Sequence, residues 1–338
     1  MIKKEYFGTI DGKSVYNYTL KDGITVVLTE FGARILSIVA PDRNGVGVDV
    51  IAGAADFEQV TTGFKYMGAT IGRCANRIGG DGFELNGVFH KIWHPEGVAH
   101  LHGGKEGFDC KVFTATADEE NNCVIMTYLS PDGEEGYPGN LELSVKFTVK
   151  GCELDIEYFA VCDKDTVFNP TNHAYFNLSG EGFGSNAENV LKINADAYIP
   201  TDEKLVPTGE IKPVKGTPFD FNEFKPIGRD IDADDKDLKI AGGFDHNFCL
   251  TDSHFAIAYS DETGIKMDCY TDRPGVQFYA GHLLNGEKGK SVYPKHAAFC
   301  LESQFFPDAI HHTNFTSPVL KANEKFYSKT TYAFSIKK

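Results

Sequence analysis

At 338 residues, 41% of them hydrophobic and 24% charged, the chain is long and apolar enough to bury a sizeable core, which excludes a disordered polymer. Its 48 acidic against 33 basic side chains give a formal charge of -15, a sign that repels phosphate backbones and anionic headgroups, so nucleic acid and membranes are not expected partners. There is no membrane-length apolar run, and the lysines of MIKKEYFGTIDGK precede no apolar stretch of signal-peptide length, so the expected location is cytoplasmic.

Turn pairs punctuate the chain from its start, at Asp11-Gly12, Asp22-Gly23, Asn44-Gly45, Asn86-Gly87 and Asp132-Gly133. Such pairs supply the positive φ that tight hairpin turns require, so their spacing implies short antiparallel strands. AADFEQV near residue 54 is the first helical window. Further on, Leu143, Val145, Phe147 and Val149 alternate with Glu142, Ser144, Lys146 and Thr148, and Leu154, Ile156 and Tyr158 alternate with Glu153, Asp155 and Glu157. That period predicts two half-buried strands joined at Lys150-Gly151. AENVLKI near residue 187 is the second helical window. The run DIDADDKDLK, residues 230 to 239, opens like a calcium loop, but Asp235 stands where the tight turn needs Gly and Ala241 where a bidentate Glu belongs. A solvated loop is expected there. Ile265, Met267 and Cys269, and later Tyr332, Phe334 and Ile336, repeat the strand alternation.

Dense turns, few helical windows and no βαβ rhythm imply an all-β fold, a large antiparallel β-sandwich formed as one domain over residues 1–338, with function on an open face or the rim loops. The eight cysteines stand singly without a CxxC pair, which predicts small buried hydrophobes rather than disulfides or zinc ligands.

No phosphate-binding GxxxxGK[ST], dinucleotide GxGxxG, HExxH or GxSxG motif occurs. What stands out is a set of polar residues in stretches that otherwise read as apolar or tightly turned. They are Asn76 and Arg77 in GRCANRI, His102 in HLHGG, His173 in NPTNHAYFNLSG, Asp245 and His246 in GGFDHNF, and Glu302 in FCLESQFFPDAI. Each has a structural alternative: a carboxyl bonded to backbone, a loop imidazole, a core ion pair. As a set they offer an acid, a base and amide donors without a Ser or Cys nucleophile, a toolkit for proton transfer on a polyhydroxylated ligand. Zinc is the other use, with His100 and His102 on one strand face and His311 and His312 elsewhere. An extended His311-His312 pair would point to opposite faces, and no third ligand has diagnostic spacing, so no metal is expected.

GRCANRI, HLHGG followed by GFD, SPDGEEGYPGN, NPTNHAYFNLSG, FDHNF, PGVQFYAG and CLESQFFPDAI occur in this order from about residue 20 to the last strand. In that succession the chain resembles the aldose 1-epimerases, also called galactose mutarotases. The resemblance implies a supersandwich fold and an enzyme that interconverts α and β anomers of free aldohexoses. It implies Glu302 as general base and His173 as general acid, with Asn76, Arg77, His102, Asp245 and Gln277 as sugar-binding residues. Anomerisation needs no redox or electron-sink step, so no cofactor is implied, and the expected partner is a monosaccharide bound by a monomer or homodimer. The chain departs from the family pattern at Ala99, Phe113 and His311, which bear on the shape of the pocket rim. Two other readings keep the fold: a hexose-6-phosphate epimerase, which needs a basic phosphate cluster, and a non-catalytic carbohydrate-binding protein, which needs no acid and base pair.

Overall fold

The computed structural model describes residues 1–338. Three antiparallel sheets dominate it. The first runs Lys3–Ile10, Lys13–Asp22, Ile24–Thr29, Arg34–Pro41 and Gly47–Asp49 in sequence order. The second has nine strands, with Leu141–Lys150, Glu153–Cys162, Phe326–Ile336 and Ile265–Thr271 at its centre. The third orders Lys212–Pro213, Ala195–Ile199, Asp245–Leu250, Gly275–Tyr279 and Cys300–Gln304.

Local chemistry explains the hairpins. Asp11 and Gly12, at φ 50° and 74°, join the first two strands, and Asn86 and Gly87, at φ 53° and 75°, join Gly82–Leu85 to Val88–Lys91. Positive φ at both central residues matches the turn to the strand twist. Asp132-Gly133 differs, because it lies inside the longer 131–140 connection rather than at a tight turn. The central hairpin is as expected, with Lys150 paired to Glu153 across Gly151-Cys152.

Of the two helical expectations one holds and one changes. AADFEQV does form a helix, α1 (Phe57–Thr62), capped by the Asp56 side chain on the Gln59 N–H. AENVLKI does not: Val190–Ile193 is a strand between His254–Tyr259 and Lys225–Pro226, because its apolar side chains are needed inside the sheet. The acidic run is only partly loop. Asp235 caps α2 (Lys236–Ala241) by accepting from the N–H groups of Asp237 and Leu238, and buried Asp237 accepts from the Tyr198 hydroxyl and the Lys212 ammonium.

One apolar cluster joins the inner faces of all three sheets, from Leu20 and Val26 through Phe147 and Ile156 to Phe248, Phe278 and Leu301. The Tyr332 hydroxyl donates to the Leu301 carbonyl at 3.0 Å, tying the nine-stranded sheet to the strand that carries Glu302. All eight cysteines are free thiols, five of them buried.

Candidate active site

Strand alternation delivers three of the expected residues to one surface. Asn247 pairs with Gln277 and Gln277 with Glu302, while Asp245 pairs with Tyr279 and Tyr279 with Cys300. Side chains two apart share a face. The alternate positions, His246, Phe248, Phe278 and Leu301, turn the other way and are buried in the core. The third sheet is therefore apolar on one face and carries carboxyls and amides on the other. Gln277 Nε2 donates to Asp245 Oδ1 at 2.6 Å.

His173 arrives from a connecting segment that its asparagines hold in place. Asn172 Nδ2 donates to the Gly68 carbonyl, and Asn177 Nδ2 donates to the Ala297 carbonyl. Asn169 accepts from the Phe305 N–H at 2.8 Å and donates to the Phe305 carbonyl at 3.2 Å, so His173 and the strand bearing Glu302 are fixed to each other. The His173 N–H donates to the Ala69 carbonyl, and its own carbonyl accepts from Gly68. Its Nε2 lies 3.5 Å from Glu302 Oε1.

Asn76 and His102 both adopt left-handed backbone, at φ 58° and 52°, a conformation costly for side-chain-bearing residues and found at functional sites. They lock each other. The His102 N–H donates to the Asn76 carbonyl at 2.9 Å, and the Asn76 N–H donates to His102 Nδ1 at 3.1 Å. Because Nδ1 accepts, the proton of the neutral ring sits on Nε2, which makes His102 a fixed donor. The carbonyl of Arg77 accepts from the Asp308 N–H.

Asn76, Arg77, His102, His173, Asp245 and Glu302 line one cavity of about 290 Å³. Gln277 does not line it; it backs Asp245 instead. His100 turns away, with its ring bonded to the Tyr137 hydroxyl and the Trp93 carbonyl, so it shares no face with His102. His311 and His312 converge on one carboxylate, Asp308, rather than pointing apart, because they close a short 3₁₀ turn instead of a strand. None of Ala99, Phe113 and His311 lines the cavity.

Several lining residues escaped the sequence reading. Phe64, Lys65, Tyr66 and Met67 form one wall, and buried Arg34 holds that wall by donating to the carbonyls of Phe64, Lys65 and Met67 at 2.6 to 2.9 Å. Lys65 Nζ donates to the Lys105 carbonyl beyond HLHGG. Tyr175, Tyr279, Leu283 and Leu284 complete the apolar lining. Tyr175 and Tyr279 lay within quoted motifs; the wall residues carried no period or motif.

Burial governs the electrostatics. It pushes the Glu302 carboxyl well above the usual carboxylate range, Asp245 adds to the rise, and Arg77 opposes it. Burial lowers His173 to about 4 against the pull of Asp245, and drives His102 well below the ordinary imidazole value. Both shifts favour the uncharged forms, a neutral imidazole beside a protonated carboxyl. An imidazole and a carboxyl, each buried, face a cavity lined by both polar and apolar side chains.

Donor atoms of His102, His173 and Glu302 lie within 4.8 Å of one another, a spacing a metal could span. The hydrogen bonding does not fit one. A ligating imidazole offers a lone pair to the ion and donates from its other nitrogen, whereas His102 accepts at Nδ1 and carries its proton on Nε2.

The aldose 1-epimerase family model matches residues 16–333. The chain is 39% identical over 345 residues to galactose mutarotase of Homo sapiens, covering 99% of each, and 35% identical over 337 residues to aldose 1-epimerase of Escherichia coli, covering 96% of each. The solved galactose 1-epimerase of Lactobacillus acidophilus superposes with a TM-score of 0.90 at 28% identity, covering 100% of this chain and 99% of that one. The chain thus belongs to the aldose 1-epimerase family, and it is a carbohydrate isomerase of that family.

Proposed function

We propose that the protein interconverts the α and β anomers of free aldohexoses such as galactose and glucose, with Glu302 as base and His173 as acid. The observation that carries this reading is the approach of His173 to Glu302 at 3.5 Å on the wall of a cavity that Asn76, Arg77, His102 and Asp245 also line.

In ring opening, Glu302 takes the proton of the C1 hydroxyl, the C1–O1 bond becomes a carbonyl, and the bond from C1 to the ring oxygen breaks with its electrons on that oxygen. His173 gives the ring oxygen a proton. Rotation about C1–C2 presents the other carbonyl face, and closure returns both protons along the same two paths. One group must therefore be charged with the other, and the sugar arranges this: Arg77 favours the carboxylate, Asp245 favours the imidazolium, and sugar hydroxyls replace the water that burial removed. His102 as a fixed donor, with Asn76 and Arg77, holds the hydroxyls so that C1 stays against the pair. Gln277 acts through Asp245, whose carboxylate it orients.

A phosphorylated hexose fits less well. Lys65 is committed to backbone carbonyls, and Asp245, Glu287 and Glu302 line the same cavity. Eight free thiols suit a reducing compartment, which supports a cytoplasmic location.

Polarimetry of freshly dissolved α-D-galactose and α-D-glucose tests the reading. Rotation should relax faster with the protein than in buffer, and His173→Asn or Glu302→Gln should each cut kcat by about 10² to 10⁴-fold. Relaxation at the buffer rate for both sugars, or full turnover by either variant, defeats it.

A further inference from the structure

A working imidazole is usually oriented by a carbonyl or carboxylate on the nitrogen turned away from substrate. His173 lacks that support from any other residue: its Nδ1 is buried without a hydrogen-bond partner elsewhere in the fold, with only the carbonyl of its own residue beside it. Aromatic rings surround it instead. Tyr175 is parallel to it within 10°, with centroids 5.0 Å apart, and Tyr66 is likewise parallel within 10° at 6.3 Å. His102 meets it edge-on at 5.1 Å. Tyr175 sits two residues along the same segment, and Tyr66 belongs to the wall that Arg34 fastens.

We propose that Tyr66 and Tyr175 are positioning residues that set the plane of the His173 ring and stabilise its protonated form through their faces. The inference rests on His173 being the acid of the proposed reaction. An aromatic face is the negative pole of the ring quadrupole and attracts a cation stacked on it. The other groups around His173 are Glu302 and Asp245 on the third sheet, His102 on its loop, and the guanidinium groups of Arg34 and Arg77. A further carboxylate would favour the imidazolium too, but it would also repel the negative charge Glu302 must carry. Stacked rings favour the cation without that penalty. Their hydroxyls are not the proton source, since burial raises both phenols above 10.

The test follows the titration of the His173 ring by NMR in histidine-labelled full-length protein carrying Glu302→Gln, so that the midpoint belongs to His173 alone. Position 175 is occupied in turn by Tyr, Phe and phenylalanines of increasing fluorine content, which keep the shape while weakening the ring face. The midpoint should stay put with Phe and fall stepwise with fluorination, by about half a unit to one unit in all. Tyr66→Leu should lower it by about half a unit, and Tyr66→Phe should restore it. With Glu302 present, the acid limb of kcat/KM should move by the same amount. A midpoint indifferent to fluorination overturns the proposal even if Tyr66→Leu fails to fold. Full turnover by His173→Asn would instead refute the acid assignment, and the titration series would separate the two outcomes.

Discussion

Oε1 of Glu302 and Nε2 of His173 lie 3.5 Å apart, with less than a tenth of either side chain exposed. The pair gains a second proton only when His173 titrates, at about 4, and loses its single proton only at the raised pKa of Glu302. The expected kcat/KM profile for α-D-galactose is therefore a plateau that persists well below 6.5, the ordinary imidazole value, and falls toward an acid limb near about 4. Polarimetric rates across the acid and neutral range would check it. A limb centred at 6.5 would mean that His173 titrates as a solvated group.

Burial of Glu302 also sets a stability cost. Its folded pKa lies above the unfolded value near 4.5, so the native state binds the proton more tightly. The resulting stability is present below the unfolded pKa and is lost as pH rises through the folded one. Glu302→Gln keeps the shape without the ionisation, so it should be more stable than the native chain by about 1 kcal/mol at neutral pH, with a gap that widens as pH rises. Denaturant melts at several pH values measure the gap; a gap independent of pH would contradict the assigned shift.

Arg34 donates to four backbone carbonyls, the fourth being that of Asp109, and is 1% exposed. Arg34→Met should cost about 3 kcal/mol of stability, since it strands those acceptors in the interior. Arg34→Lys keeps the charge but not the planar fork, and should raise KM for the sugar by loosening the Phe64–Met67 wall. Unchanged KM in a folded Arg34→Lys protein would show that the wall does not depend on the guanidinium.

His311 Nδ1 donates to Asp308 Oδ1 at 2.6 Å and Nε2 donates to the Gly82 carbonyl at 3.2 Å, an arrangement that needs both ring protons. The Asp308 hydrogen bond raises its pKa above 6.5. The clamp is thus fully present below that unfolded value and is lost as pH rises through the folded one. The Tm deficit of His311→Ala should be larger below pH 6.5 than in alkaline buffer. An equal deficit at both would mean that the ring packs without charge.

The sandwich was legible because alternation and Asx-Gly turns are local, as the alternating Leu141–Lys150 and Glu153–Cys162 pair and the Asp11-Gly12 turn demonstrate. His173, Glu302 and their companions were legible only as members of motifs, and the cavity unites six of the seven. The misses have physical causes. Val190–Ile193 carries helix-compatible residues that a nine-stranded sheet recruits, and the cap of α2, Asp235, is one aspartate among several in an acidic run. Tyr66 reaches the cavity because a guanidinium from the first sheet captures the surrounding carbonyls, a relation with no sequence period.

On the strands of the third sheet Phe248, Phe278 and Leu301, which face the core, alternate with Asp245, Asn247, Gln277 and Glu302. One inserted or deleted residue in Asp245–Leu250, Gly275–Tyr279 or Cys300–Gln304 would exchange the two sets, placing Phe278 in the sugar cavity and Gln277 or Glu302 in the core. Length changes there would abolish folding and catalysis in one step, whereas point substitutions separate them. Divergence among such enzymes should then proceed by substitution within these three strands and by insertion in the loops that frame the cavity, such as the one carrying Leu283 and Glu287.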